Sequence, residues 1–167
     1  LQGVETEIVV SGTAAPVQAQ SVEGNVTVNG GTDNVTLSSV DGDVSADGVR
    51  GNLSVQAVDG DVTVRNLTGA LTVEGVDGDV RLELGGTVFE LRHRGGGHTP
   101  GDMMVWLPGP DVLFSGDIVY VDRLLGVIPV SHTGRWLDTF AAIEALQPRH
   151  VHAGSPPGIR YGGISGG

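Results

Sequence analysis

The chain has no cysteine and no lysine, and only 4% of its residues are aromatic. Without cysteine there is neither a disulfide nor a thiolate metal site, and redox chemistry gives no clue to compartment. All nine basic residues are arginine, set against twenty acidic ones, for a formal net charge of -11. Such a surface repels phosphate, so nucleic acid and anionic membranes are poor partners, and the acidity serves solubility. No apolar run approaches the roughly 18 residues of a membrane span. The sequence begins at Leu1 with no methionine and no signal-like segment, the pattern of a processed or trimmed chain. Localisation stays open between a bacterial secreted or periplasmic setting and the cytoplasm. Histidine is absent until His93.

Glycine is abundant, at 28 of 167 residues, yet valine, leucine and isoleucine remain plentiful. That combination points to short strands and many turns. The strands repeat. Val22, Val40, Val58 and Val76 each open a V-x-G-[ND]-V segment, at one constant step along the chain. Weaker copies sit halfway between, at Gly31–Val35, Val49–Leu53 and Leu67–Leu71. The unit is therefore nine residues, and nine units fit between Val4 and Leu84. Each supplies a short strand with two apolar side chains on one face, such as Val62 and Val64, or Leu71 and Val73. A single unit cannot bury that pair, so units must stack, two per coil, around a valine and leucine interior. Gly24, Gly42, Gly60 and Gly78, with Gly51 and Gly69 between them, are expected to permit tight corners. The array resembles adhesin-like bacterial repeat proteins, whose role is mostly structural.

Asp41 and Asp43, Asp59 and Asp61, and Asp77 and Asp79 recur once per double unit, so stacking would make a carboxylate ladder. Secreted β-rolls use corner aspartates to bind calcium, but with several glycines per unit and Asp two places before the apolar residue. Here Asp immediately precedes Val. Solvated turn carboxylates and a calcium ladder are the two readings.

Beyond Leu84 the texture changes: every histidine, both tryptophans and all but one of the prolines lie there. One further repeat can be placed on Phe89 and Leu91, a double unit after Leu71 and Val73. Then come Gly95-Gly-Gly-His-Thr-Pro-Gly-Asp102, an apolar strand Met103–Leu107, a turn at Pro108-Gly-Pro110, and a strand ending in Phe114-Ser-Gly-Asp117. Ser131-His-Thr133 can cap a helix from about Gly134 to Leu146, with Trp136, Phe140 and Ile143 on one stripe, stopping before Pro148.

The G-H-T-P-G-D run, the later F-x-G-D at a strand end and the stretch Gly116-Asp-Ile-Val-Tyr120 make residues 76–160 resemble the C-terminal half of a metallo-β-lactamase-fold hydrolase. That resemblance implies zinc ions that activate a water for hydrolysis. It maps His98 onto the histidine ligand of the HTPG loop and Asp117 onto the bridging carboxylate. The family's H-x-H-x-D-H motif has no counterpart, and Gly154 stands where its G-H-G histidine belongs. A reduced site would draw on His98, Asp117 and His152, with His93, Asp102 or His150 assisting. No nucleophile elbow and no P-loop offers a rival chemistry.

The expectation is a mainly β protein: a nine-residue-repeat solenoid or roll over residues 1–84, a metallo-β-lactamase-like half-domain with a sheet and one or two helices over 85–160, and a flexible tail at 161–167. Half of such a fold exposes an apolar sheet face. The stacked valines of the early coils are expected to cover it, or else a second copy of the chain in a swapped or symmetric dimer. Three functions follow: a chimera-like structural protein without full dizinc hydrolase activity, a reduced zinc hydrolase of esters or lactams, or an adhesin-like, calcium-stabilised module.

Overall fold

Alternating valine, threonine and leucine favour extended backbone, and the chain lays these runs down at a constant spacing. The computed structural model describes residues 2–4, 7–121 and 124–154. It divides into two compact units, Leu1–His93 with Val105–Pro110, and Arg94–Met104 with Asp111–Gly167.

In the first unit, strands β1 (Gln2–Val4), β3 (Val17–Val22), β5 (Val35–Val40), β7 (Leu53–Val58) and β9 (Leu71–Val76) form one parallel sheet in that order. Strands β2 (Ile8–Ser11), β4 (Val26–Asn29), β6 (Val44–Asp47), β8 (Val62–Arg65) and β10 (Val80–Leu84) form a second. Each parallel pairing sets a residue against its counterpart one double unit later, as in Val35 with Leu53 and Val44 with Val62. This is a β-solenoid with two strands per coil. Its interior is Val26, Val28, Leu37, Val44, Leu53, Val55, Val62 and Val64, all essentially sealed from solvent. Each such side chain contributes about 1.5–3 kcal/mol on burial, a gain that exists only when coils stack. These valines pack on one another inside the coils, with Ile8 through Val80 in a single cluster. This is the valine and leucine interior that the repeat predicts.

The corners differ from expectation in an instructive way. Left-handed backbone occurs where the even strands end, at Gly12 (φ 60°), Gly30 (φ 72°), Gly48 (φ 72°) and Asn66 (φ 50°). These positions favour glycine or a small polar residue. At Gly42, Gly60 and Gly78 the reason for glycine is space. A Cβ on Gly60 would sit 2.7 Å from the backbone of Gly42 and closer still to Asp43 Oδ1. Coils stack so closely there that no side chain fits.

The polar residue after Gly24, Gly42 and Gly60 ties coil to coil. Asn25 Oδ1 accepts the Asp43 N–H (2.8 Å), Asp43 Oδ1 that of Asp61 (2.9 Å), and Asp61 Oδ1 that of Asp79 (2.7 Å). A parallel ladder runs from Asn34 to Asn52 to Ala70. Ala70 has no side-chain acceptor to extend it. Aspartate directly before valine thus serves a backbone amide on the next coil. Asp41, Asp59 and Asp77 lie exposed beside it, and their own N–H groups bond the carbonyls of Val22, Val40 and Val58.

The repeat ends at Gly85 and Gly86, both left-handed (φ 56° and 76°). Two such residues in a two-residue turn reverse the chain. Strand β11 (Thr87–His93) therefore pairs antiparallel with β10, Phe89 facing Leu82 and Leu91 facing Val80. Phe89 and Leu91 do not form a further coil. On this hairpin Glu90 is held by both Arg81 and Arg92.

Strand β12 (Met103–Leu107) spans the division between the units, and the second unit holds β13 (Val112–Gly116), α1 (Thr133–Leu146) and β14 (His150–Ala153). Strand β14 pairs parallel with β13. Helix α1 buries Trp136, Thr139 and Ile143, while Phe140 stays 40% exposed, so the inward stripe runs through Thr139. His132 is the N-cap without a side-chain cap bond, and Gln147 closes the C-terminus in the left-handed region. The expected tail, residues 161–167, lies outside the described residues.

Gly60→Ala is expected to destabilise the solenoid by about 1–3 kcal/mol, the usual cost of overpacking. Asp61→Ala, which strands the Asp79 N–H, is expected to cost about 1 kcal/mol. Urea denaturation of both variants, with Asp59→Ala as the neutral comparison, checks the ladder.

Candidate functional site

The glycine run before His98 is shaped by close contact. Gly95 and Gly96 are left-handed (φ 86° and 80°), and a Cβ on Gly97 would press on the Trp136 indole at 2.9 Å. Asp102 closes the loop from the far side, accepting the Thr99 N–H at 3.0 Å and the Thr99 hydroxyl. It is a turn residue here. Thr139 on α1 bonds the carbonyls of Arg94 and Gly96, both at 2.8 Å, which ties the loop to the helix.

His98 is half-buried within this frame. Its Nδ1 lies 2.7 Å from the carbonyl of Gly126, an acceptor only, so that nitrogen carries the proton and donates. In the neutral ring this leaves the lone pair on Nε2. The Tyr120 hydroxyl sits 3.3 Å from the same Nδ1. The rings of His98, Tyr120 and Trp136 meet at centroid distances of 5.9–6.1 Å with tilted or edge-on geometry. Trp136 Nε1 donates to the Ile118 carbonyl at 2.8 Å, and the Ser131 hydroxyl donates to the His98 carbonyl at 2.7 Å.

Asp117 follows β13 in an exposed turn beside Gly154. The Gly154 N–H donates to the Gly116 carbonyl at 2.7 Å. A Cβ built on Gly154 would overlap Asp117 Oδ1, and would lie 2.9 Å from the Gly116 carbonyl oxygen and 3.0 Å from its carbon. The glycine that replaces the expected histidine is thus packed against the expected carboxylate and its backbone. His152, two residues upstream on β14, stacks on Phe114 (4.9 Å, 15°) and is exposed. His150 opens the same strand, exposed, its N–H bonded to the Asp111 carbonyl. His93 ends β11 in the first unit, half-buried.

Among the described residues no three His, Asp or Glu side chains gather into a group that could hold a metal ion. The structure brings Asp117 to Gly154 and His98 to Tyr120, Trp136 and Gly126. Sequence reasoning did not single out Gly126 or Thr139, and it named Ser131 and Tyr120 only as a helix cap and as part of a family motif. Thr139 carried a usable signal, since Trp136, Thr139 and Ile143 keep the i, i+3, i+7 spacing of one helix face.

No helix among the described residues is long and apolar enough to cross a membrane. No curated protein matches the chain. The sequence model of the metallo-beta-lactamase superfamily matches residues 40–152, beginning within the coils and ending on β14. That match takes in the His98 loop, the Asp117 turn and more than half of the sequence, and the chain belongs to the metallo-beta-lactamase superfamily.

Proposed function

We propose that this protein is a non-hydrolytic member of its superfamily: a β scaffold that joins a structural repeat array to the family's C-terminal loops without the dizinc chemistry. In this reading residues 1–84 serve stability, as in the adhesin-like repeats they resemble, and residues 85–160 keep the loops that once served a metal centre.

The observation that carries the reading is the contact at Gly154. Zinc hydrolases of this kind need three or more protein ligands around each catalytic ion, plus an open position for water. The residues present do not fit such a centre. Position 154, where the resemblance places the family's last histidine ligand, is a glycine with no side chain to offer, and its backbone packs against Gly116 and Asp117. His152, the nearest substitute in sequence, is stacked on Phe114. One imidazole does not make a catalytic site. The aspartate ladder supports a structural role for the repeats as well, since Asp43 and Asp61 each serve a backbone amide.

Elemental analysis of protein equilibrated with zinc and then desalted tests this directly. The expected result is well below one zinc per chain, with no hydrolysis of an activated ester or a chromogenic lactam above buffer. One zinc per chain, lost in His98→Ala and accompanied by turnover, would establish the reduced hydrolase instead. A melting temperature that rises on adding calcium would establish the calcium-stabilised module; none is expected. Gly154→His is predicted to cost about 1–3 kcal/mol by overpacking and to gain no zinc, as differential scanning calorimetry and the same elemental analysis would show.

A further inference from the structure

The second unit contains a cavity that the family's chemistry does not require. It has a volume of about 240 Å³ and is lined by Leu125, Thr133, Trp136, Leu137 and Phe140. Its floor is preformed. Trp136 is only 5% exposed and is locked by its bond to the Ile118 carbonyl and by edge contacts with His98 and Tyr120. Its rim is open, since Leu125 is 52% exposed, Leu137 73% and Phe140 40%.

We propose that this cavity binds a small, neutral, ring-bearing apolar molecule. Among the described residues the lining contains no charged side chain, so neither an anion nor a cation entering it would find a counter-charge there to replace its lost hydration. The Trp136 N–H is already committed, which leaves the Thr133 hydroxyl as the lining's polar side-chain group. Two aromatic rings and two leucines then select by shape and dispersion. A dry cavity of about 150 Å³ takes up benzene. The larger, half-open volume here suits a molecule of two or three rings. Ligand burial would also cover apolar side chains at the rim that water now wets, and that transfer supplies the driving force.

The test is a fluorescence titration with N-phenyl-1-naphthylamine, a neutral two-ring-system probe, alongside sedimentation velocity. The expected result is saturable binding of one probe per chain, independent of protein concentration. Leu137→Ser and Phe140→Ser should each weaken it by about tenfold, since a lost contact of about 1.4 kcal/mol has that effect. Val9→Ser, which changes an exposed valine of the first unit, should leave it unchanged. Both helix positions are solvent-facing, so the variants should keep the wild-type melting temperature; if either falls, Leu125→Ser in the preceding loop replaces it. Binding unaffected by the helix and loop variants would overturn the proposal. So would a probe signal that disappears on dilution together with a dimer, because the apolar rim would then belong to a second copy of the chain. Failure here leaves the metal-free reading standing, because that reading is decided by zinc content.

Discussion

The pairing of each residue with its counterpart one coil later is the constraint on which the solenoid depends. It places like residues on like residues, so a single valine pattern becomes a continuous dry interior and a single corner asparagine or aspartate becomes a ladder of accepted amides. Because adjacent strands lie about 4.8 Å apart, the same stacking forbids a side chain at Gly42, Gly60 and Gly78, where backbone meets backbone. One geometric repeat therefore explains the valines, the glycines and the aspartates together. It also explains why the array stops where it does. Ala70 ends one ladder, and the Gly85-Gly86 turn sends β11 back along β10.

The second unit obeys a different rule, that of loops held by a helix. Trp136, Thr139 and Ile143 give α1 a buried stripe, and Thr139 and Ser131 tie the backbone carbonyls of Arg94, Gly96 and His98. The outcome is a histidine with a defined tautomer in an aromatic setting. Around Asp117 the position that the resemblance gives to a histidine is Gly154, which brings backbone but no side chain to the carboxylate.

Much of this was legible in the residues themselves. The nine-residue step predicted the coils and their register, because period-two apolar pairs at fixed spacing have few other ways to be buried. The superfamily was legible from the His98 and Asp117 motifs. The role of the corner glycines was misread, since a short-range view sees turn conformation while the requirement at Gly60 comes from the neighbouring coil. Extending the repeat through Phe89 failed for the opposite reason: apolar spacing persisted, but two adjacent glycines reversed the chain. Phe140 was placed inward on hydrophobicity alone, whereas hydrogen bonding to Arg94 and Gly96 gives that position to Thr139. The nearness of Asp117 and Gly154 was legible only through the family resemblance, because it joins two strand ends that are distant along the chain.

The central claim is that Asp117 and Gly154 close against each other where the superfamily would hold a metal. A crystal structure of zinc-soaked protein, with anomalous data at the zinc edge, tests it most directly. The account predicts the Asp117 carboxylate resting on Gly154 and no anomalous peak beside His98. A peak coordinated by both His98 and Asp117, with the carboxylate swung away from Gly154, would contradict it.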